Sequence, residues 1–247
     1  MDLADVAIVD YGMGNLRNVQ KAFEHIGVPT RISAQAADLG RADGVVLPGV
    51  GAFGDAMDNL RAAGLVEPIR QAVAQGKPLL GICLGLQLLF DESEEMGWHR
   101  GLGILPGRVV RFGQGLKVPH IGWNQLQIAG NQGLQHKSAN QQISKSQDLP
   151  GSGSGDLSQT ILGSGSGDPS RTILAGIPDH SYAYFVHSYY VEPADPSCVL
   201  ATTCYGVTFA SVVGQGNVFG AQPHPEKSQE VGLRLLKNFA TIVARSM

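Results

Sequence analysis

The sequence is poor in cysteine, in net charge and in long apolar runs, and each shortage excludes a class of protein. Three cysteines in 247 residues do not form a disulfide framework, which favours a reducing compartment. Lys and Arg number 18 against 21 Asp and Glu, so the basic surplus typical of nucleic-acid-binding proteins is missing. No apolar run approaches the roughly 20 residues of a membrane helix, and the acidic start at Met1–Asp5 does not resemble a signal peptide. We therefore expect a cytoplasmic globular protein that binds neither nucleic acid nor membrane.

The first half of the chain alternates apolar runs with helical patterns. Val6–Asp10, Gly44–Pro48 and Leu79–Cys83 are continuous apolar runs of the kind that forms buried parallel strands. Apolar residues at helical spacing from Leu16 to Ile26 predict one of the intervening helices. The alternation predicts an α/β fold with a doubly wound, largely parallel sheet, which binds ligands beyond the carboxyl ends of its strands.

The second half predicts an added antiparallel portion. Tyr184–Val191 is aromatic and β-branched, which predicts one strand. Thr208–Gln215 and Val218–Gln222 flank a glycine turn and predict a hairpin, and an apolar stripe from Val231 to Ile242 predicts a closing helix. We expect a single domain over residues 1–247.

A tandem repeat interrupts this domain. Gly151–Leu162 is followed at once by a near copy, Gly163–Leu174, which differs at two positions. Gly/Ser-rich sequence has few side chains with which to offset its ordering entropy by burial, and two copies are too few for a solenoid. We predict a flexible insertion at about residues 134–174 that is dispensable for the reaction.

Cys83 is the first candidate for chemistry. It lies between an apolar run and an apolar helical segment, with Gly81 and Gly85 two residues to either side. A nucleophile on a sharp strand-to-helix turn needs such small neighbours. The helix N-terminus would favour the thiolate, and the N–H of Leu84 would point toward an oxyanion beside the sulfur. The simpler interpretation is a buried cysteine in an apolar strand. Cys198 and Cys204 lie in or beside strand-like runs, so we expect both to be packing residues.

His224 and Glu226 are candidates for the other catalytic groups. A thiol nucleophile needs an imidazole to move its proton, and that imidazole needs a partner that fixes its tautomer. Pro48–Gly51 can supply further oxyanion N–H groups, and polar residues end the aromatic strand at His187–Tyr189. Each of these segments alone has a simpler interpretation. His224 and Glu226 could lie in an ordinary loop, Pro48–Gly51 could form a simple turn, and His187–Tyr189 could end a solvated edge strand.

Six blocks, spread from one end of the chain to the other, carry a resemblance to a known family. They are Asp10–Asn18, Leu47–Phe53, Gly81–Leu89, Val118–Asn124, Tyr184–Tyr190 and His224–Ser228. Gly-x-Cys-x-Gly with His-Pro-Glu resembles the class I (triad) glutamine amidotransferases. The Gly-Trp-Asn and Phe-Val-His-Ser-Tyr blocks are similar to those of the glutaminase subunits of imidazole glycerol phosphate synthase. Only the insertion has no counterpart in the family pattern.

The resemblance implies a flavodoxin-like fold, a glutaminase reaction, and no metal or cofactor. It implies a triad in which Cys83 attacks the side-chain amide of glutamine, His224 shuttles protons and Glu226 orients His224. It further implies an oxyanion and substrate set and a partner-facing set around an ammonia exit. The first set is Val50, Gly51, Leu84, Gln87, Glu95, Ser188 and Tyr189, and the second is Asn15, Asn18, Pro119, His120, Trp123 and Tyr184.

The implied partner is the cyclase subunit of the synthase, a (β/α)₈ barrel that uses the ammonia in histidine biosynthesis. Three alternatives stay open at this point. The chain could serve another acceptor, as in an aminobenzoate or guanylate synthase. It could be a cysteine peptidase or chaperone-like relative, although that leaves His224 and Glu226 without a role. It could also be a binding subunit without catalysis.

Overall fold

The computed structural model describes residues 4–129 and 172–246. The described strands β1 to β13 are Val6–Val9, Thr30–Ser33, Gly44–Gly49, Leu79–Cys83, Phe90–Ser93, His99–Arg100, Leu105–Arg111, His120–Ile128, Ser181–His187, Tyr189–Pro193, Val199–Tyr205, Val207–Gln215 and Val218–Ala221. The described α-helices α1 to α6 are Leu16–His25, Ala36–Arg41, Phe53–Ala62, Val66–Ala74, Leu84–Leu88 and Gln229–Ser246.

A parallel sheet in the order β2-β1-β3-β4-β13 forms the centre of the molecule. β3 and β4 pair in a register that sets Gly49 opposite Cys83. Because both strands end there, the glycine loop and the cysteine turn lie side by side at the carboxyl edge of the sheet. β13 pairs with β4 on its other side, which brings the segment after Ala221 to the same edge.

The sheet continues in largely antiparallel pairings. β12 joins β13 to β10, and β10 leads to β7. A branch through β11 carries β8 and β9. The predicted α/β fold with an added antiparallel portion in the C-terminal half is therefore confirmed.

Helices cover both faces of the parallel strands, and a separate hydrophobic core fills each side. Val46 and Leu80 belong to the core that includes Phe23 of α1 and Phe239 of α6. Val45, Leu47 and Leu79 belong to the opposite core, which includes Met57 of α3 and Ile69 of α4. Strands buried on both faces explain the continuous apolar runs in the sequence. In residues 4–129 and 172–246, no helix is long and apolar enough to cross a membrane.

The strand predicted over Tyr184–Val191 is in fact two strands. β9 pairs with β8, whereas β10 pairs with β7 and β12, and Ser188 stands between them. The bend is closed by the side chain of His187, whose Nδ1 lies 2.8 Å from the carbonyl oxygen of Tyr189. The run is uniformly β-forming, so only these long-range pairings determine where it breaks.

The insertion predicted at about residues 134–174 lies almost entirely outside the described residues. Its end, however, is described and is packed: Ile173 and Leu174 are buried in the same core as Phe239. Asn238 of α6 donates hydrogen bonds to the carbonyl oxygens of Ile173 and Ala175 at 3.0 and 2.8 Å. The last residues of the second repeat copy are therefore part of the fold, and the boundary of the insertion is corrected to precede them.

Candidate active site

Cys83 occupies a strained turn between β4 and α5. Its backbone has φ 54° and ψ −110°, a conformation that non-glycine residues rarely adopt and that is associated with functional sites. The two flanking glycines are required by close packing. A Cβ on Gly85 would lie 1.7 Å from the carbonyl oxygen of Leu47, and one on Gly81 would lie 2.6 Å from that of Gly85. The Gly-x-Cys-x-Gly pattern is thus explained by the turn that presents the sulfur.

His224 and Glu226 meet just beyond β13. The Nδ1 atom of His224 lies 2.8 Å from Oε1 of Glu226, and the two side chains are 3% and 2% exposed. The backbone around the histidine is held on both sides, because its N–H donates to the carbonyl of Tyr184 and its carbonyl accepts from the hydroxyl of Ser228. In such a buried pair, the carboxylate fixes the tautomer and the orientation of the imidazole, which can then transfer protons.

The charge state of His224 follows from its neighbours. Burial lowers the pKa of His224, but the Cys83 sulfur and the Glu226 carboxylate outweigh this and raise it to about 10. Both neighbours therefore favour the protonated form of the imidazole. Nδ1 is hydrogen-bonded to the carboxylate of Glu226, and Nε2 has no hydrogen-bond partner among the described residues. Nε2 is the nitrogen left for exchanging a proton at the sulfur.

Cys83 and His224 line one cavity of about 260 Å³. All seven residues predicted for the oxyanion and substrate set line it as well: Val50, Gly51, Leu84, Gln87, Glu95, Ser188 and Tyr189. They come from the loop after β3, the start of α5, the loop after β5 and the bend between β9 and β10. The structure therefore brings together at one place residues that are up to 139 positions apart in sequence. Their individual roles remain predictions.

Two of these residues also support the wall of the cavity. Glu95 accepts a hydrogen bond from the N–H of Phe53 at 2.7 Å, at the start of α3. Burial raises the pKa of Glu95, while that hydrogen bond opposes the change. Gln87 donates through Nε2 to the carbonyl of Tyr189 at 2.9 Å and to Oε1 of Gln222 at 3.1 Å. Its amide nitrogen thus ties α5 to the β9–β10 bend.

The structure adds two residues that the sequence analysis missed. Tyr11 is buried and donates from its hydroxyl to the carbonyl of Pro48 at 2.9 Å, which holds the start of the glycine loop. Gln222 is fully buried, and its Nε2 donates to Sγ of Cys83 at 3.7 Å. Gln222 lies two residues before His224, and this closeness to the His-Pro-Glu motif is the sequence signal that could have identified Gln222 as a site residue.

Five of the six predicted partner-facing residues lie partly or well exposed: Asn15, Asn18, Pro119, Trp123 and Tyr184. Trp123 and Tyr184 are directly opposite on β8 and β9, with ring centroids 5.9 Å apart. His120 is different. It is 3% exposed and stacks between Phe185 and Tyr205, so the prediction that its side chain faces a partner is corrected.

The other two cysteines have different surroundings. Cys198 is buried, as expected for a packing residue, and burial raises the pKa of its thiol to about 11. Cys204 is exposed near the end of β11, so the expectation that it packs in the core is wrong. In the part of the chain that the structure describes, no group of three or more His, Cys, Asp or Glu side chains is arranged to hold a metal ion.

We expect the Glu226→Gln substitution to lower glutamine turnover by about 10²–10⁴-fold, the range associated with a positioned proton-transfer group. The amide keeps the shape of the side chain but removes the negative charge beside Nδ1 of His224. Initial rates of glutamate release at saturating glutamine measure the effect. Glu230→Gln, at an exposed position in the first turn of α6, is the matched control and should leave the rate unchanged. Equal losses in both variants would contradict an orienting role for Glu226.

Comparison with known proteins agrees with this geometry. The family model described as "Glutamine amidotransferase class-I" matches residues 7–243. Among solved structures, the chain resembles one titled "Crystal structure of glutamine amidotransferase" with a TM-score of 0.64 at 18% identity, covering 97% of this chain and 98% of that one. It also resembles the structure of PurLQS from Thermotoga maritima with a TM-score of 0.64 at 17% identity, covering 97% and 99%. At these identities the structural likeness shows the fold alone.

Curated relatives are much more similar in sequence. The chain is 48% identical over 241 residues to "Imidazole glycerol phosphate synthase subunit HisH" of Syntrophotalea carbinolica, covering 95% of this chain and 98% of the relative. It is 44% identical to the protein of the same name from Moorella thermoacetica, covering 96% and 95%, and 42% identical to that of Bacillus subtilis, covering 97% of each. The chain therefore belongs to the class I glutamine amidotransferase family and, within it, groups with the HisH subunits of imidazole glycerol phosphate synthase.

Proposed function

We propose that the chain is the glutaminase subunit of an imidazole glycerol phosphate synthase. It hydrolyses glutamine to glutamate and ammonia, and it passes the ammonia to a cyclase subunit in histidine biosynthesis. The observation that carries the proposal is one cavity that combines a cysteine on a strained turn, a buried imidazole–carboxylate pair and the residues expected to bind glutamine. That the ammonia goes to a cyclase subunit in histidine biosynthesis is inferred from the names of the relatives, which are subunits of imidazole glycerol phosphate synthase.

The chemistry has two steps. In the first, the sulfur of Cys83 attacks the side-chain amide carbon of glutamine, and the carbon–nitrogen bond breaks as His224 donates a proton to the departing ammonia. In the second, water attacks the thioester, His224 takes a proton from it, and the carbon–sulfur bond breaks to release glutamate. The N–H groups of Leu84 and the Val50–Gly51 loop stabilise the oxyanion in both steps.

The partner surface in this proposal is the outer face of β8 and β9. Ile121, Trp123 and Tyr182 are 60%, 47% and 54% exposed, an unusual concentration of large apolar side chains on one hairpin. Tyr184 extends the patch, with the amino group of Lys227 5.8 Å from its ring centre. Pro119 and Val186, from the same two segments, line the cavity, so the patch adjoins the site where ammonia forms.

The testing experiment measures glutamate release by the chain alone, and then with a cyclase subunit and its ribonucleotide ligand. We expect slow hydrolysis alone and a marked increase in the liganded complex. The reason is the glycine loop: Gly51 has φ +104°, and glycine allows a peptide orientation that does not yet present its N–H to the oxyanion. Absence of glutamine hydrolysis in every state would refute the proposed function.

We expect Trp123→Ala to weaken binding of the cyclase subunit by about 2 kcal/mol, or roughly 30-fold, as for a central aromatic residue of an interface. Titration calorimetry of the two purified subunits measures it. Trp98→Ala is the matched control, because Trp98 is also exposed, at 60%, but lies in the turn between β5 and β6 and not on β8 or β9. Trp98 donates to Glu92 there. Equal weakening by both substitutions would place the interface elsewhere.

A further inference from the structure

A continuous series of hydrogen bonds connects β8 to the sulfur of Cys83. Nδ2 of Asn124 lies 3.2 Å from Nε2 of His120, and Nδ1 of His120 lies 3.0 Å from Nε2 of His187. Nδ1 of His187 lies 2.8 Å from the carbonyl oxygen of Tyr189. Gln87 and Gln222 complete the path from that carbonyl to the sulfur.

The groups on either side of the two imidazoles determine where their protons lie. Nδ2 of Asn124 can only donate, and its other proton goes to the carbonyl of Cys204 at 2.9 Å, so Nε2 of His120 accepts and Nδ1 of His120 carries the proton. Nε2 of His187 accepts that proton, and Nδ1–H of His187 donates to the carbonyl of Tyr189, which can only accept. Both imidazoles are therefore neutral. This agrees with burial, which lowers the pKa of His120 and lowers that of His187 to about 3.

The series is buried as well as complete. Gln222, His120, Gln87 and His187 are 0%, 3%, 4% and 6% exposed. Burying that many polar groups is favourable only when each is bonded, and a fully bonded network holds a single arrangement. Stacking fixes the ring of His120 further, since its centre lies 5.1 Å from that of Phe185 and 4.1 Å from that of Tyr205.

The series meets the active site at two points. At its end, Nε2–H of Gln222 points at the sulfur, and a hydrogen bond to a thiolate favours that form over the thiol. In its middle, the carbonyl of Tyr189 lies in the β9–β10 bend that lines the cavity, and it accepts from both Gln87 and His187. Neither Gln222 nor the two imidazoles is needed for the proton transfers of the triad, which leaves their burial beside it unexplained.

We propose that Gln222 is a positioning residue for the Cys83 sulfur, and that His120 and His187 hold it in place through the Tyr189 carbonyl and Gln87. The catalytic consequence rests on the proposed glutaminase function, whereas the effect on the sulfur does not. The titratable groups around the sulfur, His224 and Tyr11, are not altered by the substitutions below.

The first test is Gln222→Glu. The substitution keeps an oxygen that can accept from Gln87, but it replaces the N–H that donates to the sulfur with a second carboxyl oxygen and so also adds a charge beside the sulfur. Gln222→Met is therefore measured alongside it, because methionine removes the same N–H without adding a charge. Iodoacetamide alkylation of the Cys83 peptide, followed by mass spectrometry across a pH series, reports the thiolate without counting the exposed Cys204. We expect the pH of half-maximal alkylation to rise by about one unit and glutamine kcat to fall about tenfold with KM within twofold. Gln215→Glu, at an exposed position on β12, is the matched control and should change neither.

The second test is His120→Phe, which keeps a flat ring between Phe185 and Tyr205 but removes the N–H that donates to His187. We expect a smaller rise in the alkylation pH, and less than the sum of the two single effects in the double variant with Gln222→Glu. A rise in the alkylation pH that Gln222→Met shares with Gln222→Glu reports the lost N–H donor, whereas a rise seen in Gln222→Glu alone would come from its charge and would contradict the proposal. An alkylation pH that is unchanged in folded Gln222 variants would overturn the proposal, as would strictly additive effects.

The two proposals fail in different ways. Alkylation uses no glutamine, so a wild-type chain without glutaminase activity would reject the proposed function and still reveal whether Gln222 acts on the sulfur. Conversely, an active glutaminase whose alkylation profile ignores Gln222 would reject the positioning role alone.

Discussion

Cys83→Ala is expected to abolish glutamine hydrolysis, with a loss of at least about 10⁴-fold in kcat. In the proposed mechanism Cys83 is the nucleophile, and it lines one cavity with His224. Removing its sulfur would remove the covalent intermediate on which both proposed steps depend. Glutamate release from glutamine by the purified chain, in complex with a cyclase subunit, measures the loss.

The same variant provides its own control. The turn is shaped by Gly81 and Gly85 rather than by the sulfur, so the Cys83→Ala chain should fold and bind the cyclase normally. The complex should also form the cyclase product when ammonia is supplied directly, since that chemistry belongs to the other subunit. Product formation from glutamine by the Cys83→Ala complex would show that the nucleophile has been assigned wrongly.

Gly85→Ala is expected to lower the free energy of unfolding by about 3 kcal/mol, the upper part of the range for overpacking a core. The new methyl group would lie 1.7 Å from the carbonyl oxygen of Leu47, and that oxygen belongs to the backbone of a central strand. Either β3 or α5 must move. For a domain of this size the change corresponds to a drop in Tm of about 6–12 °C, which calorimetry can detect.

Gly40→Ala is the matched control for that substitution. Gly40 lies in α2, and nothing stands within 4 Å of the position its Cβ would take. Alanine is the better helix former by about 1 kcal/mol, so Gly40→Ala should leave Tm unchanged or raise it. A Gly85→Ala chain as stable as the wild type would mean that the contact between α5 and β3 can relax without cost.

Features that depend on residues close together in sequence could be predicted. The turn at Cys83 follows from its flanking glycines, and the pairing of His224 with Glu226 follows from their spacing. The convergence of the glycine loop with the cysteine turn follows from the rule that parallel strands end at one edge of the sheet. These constraints act within a few residues or follow from fold class, so the sequence contains them directly.

Features that depend on distant pairings could not be predicted. The break at Ser188 has no local marker, because both flanking runs favour strands, and it arises only from their different neighbours. His120 bonds to His187, 67 positions away, and that contact turns an apparent surface residue into a buried one. Gln222 acts on a sulfur 139 positions away. Hydrophobic periodicity indicates whether a position faces the core, but it does not identify the distant polar group to which a buried side chain will hydrogen-bond.

The burial of Ile173 and Leu174 has a consequence for the evolution of this chain. Each twelve-residue copy ends in the same tripeptide, Thr160-Ile161-Leu162 in the first and Thr172-Ile173-Leu174 in the second. Loss of either whole copy would still leave Thr-Ile-Leu joined to Ala175, with the buried side chains supplied in the same order. Gain of a copy would do the same. The core contacts of Ile173 and Leu174 therefore place no constraint on the number of copies, whereas a substitution in the last tripeptide changes the buried side chains directly.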